Sequence, residues 1–197
     1  MFTGIIMAVG TVRATRPAPG GGVYLEIDAD ALDLADVAPG HSIAVDGICL
    51  TVVNVVAPRL EFDLSHATLE CVAGFTSGTH INLEKSLRLA DRLGGHLVGG
   101  HVDGVGTVTR FDAAGDNRLL AVAAPRELMK YIARKGSIAV SGVSLTVNEV
   151  TDGEFTVNLI PHTLTATNLG ALAPDARVNL EVDMLARYLE RLAKAGR

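Results

Sequence analysis

The chain has no tryptophan, and aromatic residues make up only 4% of it. Its cores must therefore be filled by aliphatic side chains rather than by large rings. It has two cysteines, Cys49 and Cys71, with no metal-like spacing. That argues against a disulfide scaffold and for a reducing compartment, so a cytoplasmic protein is expected. The six histidines form neither an HxH nor an HExxH pattern, and no metal is expected. No run of about 18 apolar residues occurs, so no membrane span is expected. The N-terminus "MFTGIIMAVG" has no basic segment ahead of a long apolar core, and no signal peptide is expected. Lys and Arg number 17 against 22 Asp and Glu, giving a net charge of −5. That disfavours nucleic acid as a partner. The one basic cluster, Arg187, Arg191, Lys194 and Arg197, reads as a solvated helix face. Charged residues are 20% of the chain, below the usual quarter or so. Part of the surface is therefore expected to be covered by other copies of the chain.

What the chain does have is repetition. "VDGICLTV" at 45–52 returns as "VSGVSLTV" at 140–147, changed only at Asp46/Ser141, Ile48/Val143 and Cys49/Ser144. The same offset carries Ser42 to Ser137, Thr51 to Thr146 and Thr68 to Thr163. With small insertions, "VGTV" at 9–12 matches 105–108, and "INLE" at 81–84 matches "VNLE" at 178–181. Five blocks in one order mark a tandem duplication. The expected units are residues 1–96, residues 97–186 and a C-terminal helix over 184–197.

Each half reads as short strands. "GTVRA", "VYLEID", "SIAVDG", "LTVVNVV", "LEFDLS" and "HINLEKS" are rich in Val, Ile and Thr and are separated by Gly, Pro, Asn or Asp. Six strands in about 90 residues predict a closed barrel, which removes exposed edges. The expected fold is all-β, with tandem six-stranded antiparallel barrels, short helices and a C-terminal helix. "APRELMKYIARKG" predicts a helix with Pro125 in its first turn and Gly136 past its end. "VDMLARYLERLAKAG" sets Leu185, Tyr188, Leu189 and Leu192 on one stripe, with Asp183 as N-cap. A helix of about a dozen residues is marginal alone, so this stripe is expected to pack against another copy.

"MFTGII…VGTV", "SIAVDGICLTV", "RLGGHLVGGHVDGVGTV", "LMKYIARKGSIAVSGVSLTV", "NLIPHTL" and "VNLEVD" together resemble the riboflavin synthase family, from Met1 to about Leu189. The resemblance implies two barrels, a homotrimer and no cofactor. In some relatives a lumazine synthase shell surrounds the trimer. The implied reaction is a dismutation of two 6,7-dimethyl-8-ribityllumazine molecules. One gives a four-carbon unit to the other, yielding riboflavin and 5-amino-6-(ribitylamino)uracil. Each barrel would bind one lumazine, and the working site would lie between barrels of neighbouring subunits.

Two identical reactants in opposed orientation suit a site of local two-fold symmetry. Their unequal roles require that symmetry to break. Matched hydroxyls at Ser42/Ser137, Thr51/Thr146 and Thr68/Thr163 suit ring and ribityl polar atoms, although Thr is also simply a good strand residue. Gly4-Ile5-Ile6 and Gly100-His101-Val102 would bring backbone close to a ring. The resemblance extends the lining to Phe2, Leu50, Asp63, Leu64, Ser65, His66, Ala67, Leu145, Leu159, Ile160, Pro161 and His162.

The unmatched positions carry the chemistry. A proton must leave the C7 methyl of one lumazine, and a nucleophile can add to C7 of the other. His101, opposite Ile5, suits proton transfer near neutrality. Cys49 reads as a nucleophile or as a small buried hydrophobe. Ser144 reads as an activator of water, an alkoxide nucleophile or a substrate contact. Lys135 reads as a counter-charge or as a surface cation at a helix C-terminus. Asp183 would hold Ser144 or His101 while also capping the last helix. His41 and His80 read as solvated, His96 as structural at the junction, and Cys71 as a core filler. Three first-half features depart from the family pattern. Met7 stands where an acidic residue is common, Asp46 where Asn is frequent, and "SHATLECVAGF" where an Asn-Leu-Gly is usual. The rival reading is a lumazine- or flavin-binding relative without catalysis. It would have lost the polar set of one half-site, and this chain keeps both sets.

Overall fold

The computed structural model describes residues 1–195. The first half runs β1 (Ala8–Pro17), β2 (Val23–Asp28), β3 (Ser42–Val45), β4 (Ile48–Val56), β5 (Arg59–Leu64), α1 (His66–Glu70) and β6 (His80–Lys85). The second runs β7 (Gly104–Ala114), β8 (Asn117–Ala123), α2 (Arg126–Met129), β9 (Ser137–Val140), β10 (Val143–Val150), β11 (Glu154–Leu159), α3 (Pro161–Ala166) and β12 (Arg177–Val182). A final helix, α4 (Met184–Ala195), follows. Each set of six strands closes into an antiparallel barrel, in the order β1-β2-β5-β4-β3-β6 and its equivalent. None of the described helices is long and apolar enough to cross a membrane.

Alternation sets the barrels. In β2, Leu25 and Ile27 point inward while Tyr24, Glu26 and Asp28 do not. Leu25, Ile27, Ile43, Leu60, Phe62, Ile81 and Leu83 fill the first core. Leu120, Ile138, Val147, Phe155, Val157 and Leu180 fill the second. Each such burial contributes about 1.5–3 kcal/mol. Register slips at Val12/Ala14 and Val52/Asn54 recur at Val108/Arg110 and Val147/Glu149. Bulges of this kind bend a strand and raise its twist, which lets a sheet of six strands curl closed.

The two barrels meet across an apolar seam of Phe2, Ala44, Val98 and Ala139, with Cys49 packed against it. Gly47 and Gly142 face each other there. A Cβ on either would lie 2.7 Å from the other's amide nitrogen. Paired amides frame the seam. Asn82 Nδ2 donates to the Ser141 carbonyl at 2.9 Å, and Asn179 Nδ2 donates to the Asp46 carbonyl at 3.0 Å. The seam therefore repeats the local two-fold of the sequence.

The helix expected between Pro125 and Lys135 is shortened to α2. Beyond it the chain turns by i→i−3 bonds, from Tyr131 N–H to Leu128 O and from Ile132 N–H to Met129 O. Burial of Leu128 and Ile132 against the barrel outweighs helix propensity there. Lys135 is consequently not at a helix C-terminus; it sits in a left-handed turn at φ 67°.

In α4 the expected cap is present, with the Leu185 N–H donating to Asp183 Oδ1 at 3.0 Å. The helix lies on its own chain through polar groups. Glu190 bonds Lys130 and the Tyr131 hydroxyl, and Arg187 pairs with Asp103. Leu185, Tyr188, Leu189 and Leu192 stay 59–69% exposed. Residues 196 and 197, at the end of the expected helix, lie outside the described residues.

Candidate functional site

The two halves trade a segment. The peptide ahead of β1 leaves the first barrel and lies on the second. The Gly4 carbonyl accepts from the Ser144 N–H at 2.8 Å, and Ile6 packs on the second core. The peptide ahead of β7 does the reverse. The Gly100 carbonyl accepts from the Cys49 N–H at 2.7 Å, and Val102 packs on the first core. Gly4 and Gly100 hold φ of 75° and 77°. A Cβ at either would fall within 2.6 Å of the facing Ser144 or Cys49 Cβ, so neither site admits a side chain.

Around Cys49, strand alternation turns Thr51 outward and Leu50 into the core. Ser42 is in register with Thr51 on β3. Val52 pairs with Phe62, which brings Asp63 alongside Thr51 on the outer face. Ser65 Oγ caps α1 by accepting from the Thr68 N–H at 3.2 Å and lies 3.0 Å from Thr68 Oγ1. His66 and Ala67 are exposed beside it.

Around Ser144 the pattern repeats. Thr146 faces outward opposite Ser137, and Leu145 faces inward. Ile160, Pro161 and His162 are exposed at the start of α3, with Thr163 half-buried behind them. Asn158, the counterpart of Asp63, stands exposed beside Thr146. Sequence reasoning passed it over, although the repeat offset from Asp63 points to it.

Of the other expected contacts, Phe2, Leu50, Leu64, Leu145 and Leu159 are 0–8% exposed and lie in the seam or the barrel cores, so in the single chain their side chains present little surface.

Asp183 caps α4 and acts electrostatically on a third residue, His96, which lies beside Ser144. His96 Nδ1 lies 2.7 Å from Ser144 Oγ. Burial lowers the imidazole's pKa, against the opposing pull of the Asp183 carboxylate. Its Nε2 is buried without a hydrogen-bond partner. An imidazole whose charging is disfavoured by burial, placed beside a hydroxyl, is arranged to exchange a proton with it. His96 was read only as a junction residue, and nothing in its sequence context reveals this pairing. Gly95 makes the approach possible, since a Cβ there would sit 2.2 Å from the Thr3 carbonyl and 2.7 Å from Ser144 Cβ.

His101 is exposed and borders a groove of about 320 Å³ with Asp103, Glu181, Arg187 and Tyr188. Lys135 is exposed in a separate groove of about 460 Å³ with Arg110, Arg134, Glu149 and Glu154. A groove of about 800 Å³ takes in Ile5, His41, Ser42 and Lys85, and neither Cys49 nor Ser144 lines it. Within one chain, then, Cys49, Thr51 and Gly100 come together on one outer face, and Ser144, Thr146, His96 and Gly4 on the other. Lys135 joins neither group. Among the described residues, no cluster of three or more His, Cys, Asp or Glu is placed as metal ligands would be.

The profile of the lumazine binding domain matches residues 3–86 and again 99–183. A riboflavin synthase of Photobacterium phosphoreum is 45% identical over 194 residues, 98% of this chain and 88% of that one. A riboflavin synthase of Brucella abortus (strain 2308) is 43% identical over 201 residues, 98% of each. The crystal structure of LumP complexed with riboflavin superposes with a TM-score of 0.85 at 26% identity, over 92% of this chain and 99% of that one. LumP complexed with 6,7-dimethyl-8-(1'-D-ribityl) lumazine gives 0.83 over the same shares. With this domain in both halves and such identity along nearly its whole length, the chain belongs to the riboflavin synthase family.

Proposed function

We propose that the protein is a riboflavin synthase, a transferase that converts two molecules of 6,7-dimethyl-8-ribityllumazine into riboflavin and 5-amino-6-(ribitylamino)uracil. The observation that carries this reading is the pair of traded half-sites. They are alike in fold and in Thr51/Thr146, and unlike at Cys49/Ser144 and His101/Ile5. Each half-site takes one lumazine. The threonines and the backbone near Gly4 and Gly100 meet its polar edge, and the unlike groups treat the two copies differently. Neutral His96 takes a proton through Ser144 Oγ, and Asp183 favours the imidazolium that results. Cys49 supplies the nucleophile or packs against the ring in the other half-site.

Both half-sites lie on open outer faces of a single chain, and dismutation needs two rings stacked. We infer that the first barrel of one copy meets the second barrel of another in a homotrimer, and that Lys135 reaches the site across that contact. The bare stripe of α4 supports association. A cytoplasmic enzyme without cofactor fits the same reading. The test is incubation of the pure protein with the lumazine alone. Riboflavin should accumulate at one molecule per two consumed. Tight lumazine binding without riboflavin would instead assign the chain to a binding role, the state in which the LumP structures hold their ligands.

A further inference from the structure

Two buried glutamates play no part in the chemistry described above. Glu84 on β6 and Glu181 on β12 are 2% and 6% exposed. They occupy equivalent places in the repeat. Neither has a lysine or arginine partner among the described ion pairs. A buried carboxylate without a cation is costly unless donors surround it. Here the donors are the amides of the traded segments. Glu181 Oε1 accepts from the Gly99 N–H at 2.6 Å, and Oε2 accepts from Gly100 at 2.9 Å and His101 at 3.1 Å. Glu84 Oε1 accepts from the Thr3 N–H and hydroxyl, both at 2.7 Å, and Oε2 accepts from the Gly4 N–H at 3.0 Å. The Ile5 N–H also donates to the Thr3 hydroxyl, at 3.1 Å. Successive amides turned onto one anion form a nest.

We propose that Glu181 and Glu84 are crossed positioning residues. Each is rooted in one barrel and sets the backbone that completes the half-site of the other. Glu181 fixes Gly100 and His101 over Cys49. Glu84 fixes Gly4 and Ile5 over Ser144. The geometry requires a carboxylate at each place. Both oxygens of Glu181 accept from N–H groups, and a glutamine would turn an NH2 toward one of those donors. Gly99 is part of the same device. A Cβ there would lie 3.0 Å from Glu181 Oε1 and 3.2 Å from His101 Nδ1.

The test reads Cys49 directly, so it does not depend on the assigned reaction. The variants are Glu181→Gln, Glu84→Gln and Gly99→Ala, made in a Cys71→Ser background so that only Cys49 carries a thiol. Iodoacetamide alkylation is followed by mass spectrometry on protein whose folding is checked by thermal unfolding. Glu181→Gln and Gly99→Ala are expected to change the alkylation rate about fivefold or more by loosening Gly100 over the thiol. Glu84→Gln is expected to leave it within about twofold. A parallel lumazine titration by fluorescence rests on the proposed function and should show each variant weakening one of two binding events. Equal effects of Glu181→Gln and Glu84→Gln on Cys49 would overturn the proposal, as would no effect of either. If Glu181→Gln fails to fold, Gly99→Ala decides, since it keeps the carboxylate. An unchanged Cys49 rate in that variant also overturns the proposal.

Discussion

Cys49 and Ser144 occupy one strand position in two barrels, and the difference between thiol and hydroxyl can be measured. Cys49→Ser makes the two half-sites alike at that point. Turnover is expected to fall about tenfold or more, with lumazine affinity retained in a fluorescence titration. Full activity would reduce Cys49 to seam packing, a role its place against the seam cluster also supports. His96→Gln keeps a hydrogen-bonding group near Ser144 but removes the titrating ring. It is expected to lower kcat by roughly 10²-fold and to flatten the acid limb of the pH–rate profile. An unaltered profile would return His96 to the structural role that sequence alone suggested. These residues show what was legible. The repeat identified Cys49, Ser144, Thr51 and Thr146, because strand alternation fixes which residues share a face. It was silent on His96, whose loop joins the halves and has no counterpart to align with.

Asp46 argues a different point at this scale. Its Oδ1 accepts from the Asn82 N–H at 2.7 Å and from Asn168 Nδ2 at 3.0 Å. Burial still pushes its carboxyl up from 3.8 to about 7. The folded state therefore holds the proton more tightly than the unfolded one. The stability this contributes is complete below the unfolded value and is lost as pH rises toward and through 7. Asp46→Asn keeps the acceptor and removes the charge. Tm at pH 8 is expected to rise by several degrees, on the order of 1–3 kcal/mol. Tm at pH 4 should hardly move. A variant that follows the parent's pH curve would show that Asp46 is solvated.

At the scale of elements, α4 is an amphipathic helix laid down with its polar side inward. Ending the chain after Asp183 removes the whole stripe of Leu185, Tyr188, Leu189 and Leu192. The mass in sedimentation equilibrium is expected to drop to that of a smaller species, and an unchanged mass would place the contact elsewhere. Glu190, held near 2 by hydrogen bonds from Lys130, Lys194 and Tyr131, stays charged at any working pH, so mild acid should not lift the helix. The stripe and the Asp183 cap were readable because both obey the helical period. The segment after Pro125 has a similar pattern and yet breaks after Met129. The pattern was a true sign of burial and a poor sign of helix length, because Ile132 reaches the barrel equally well from a turn.

At the scale of the molecule, the seam between the barrels leaves no room for a side chain at Gly47 or Gly142. Gly47→Val is expected to cost several kcal/mol, since its side chain meets the Gly142 backbone and its φ of 80° suits glycine alone. Chemical denaturation should show the loss as a lower midpoint. The duplication and the closed barrels were legible in repeated blocks and in period-two alternation. The trading of segments was not, because a repeat shows which residues are equivalent and not which copy they lie against.

That trading bears on how the chain is made. Synthesis proceeds from the N-terminus, and early domains tend to fold as they emerge. Here the first half is complete only when Gly100 has been added. Gly4 finds the Ser144 amide only after most of the second barrel's strands up to β10 exist. The segment around Gly4 is thus seated later than the strands that follow it in the chain, and a Gly4→Ala change would weigh on the closing step of folding rather than on its beginning.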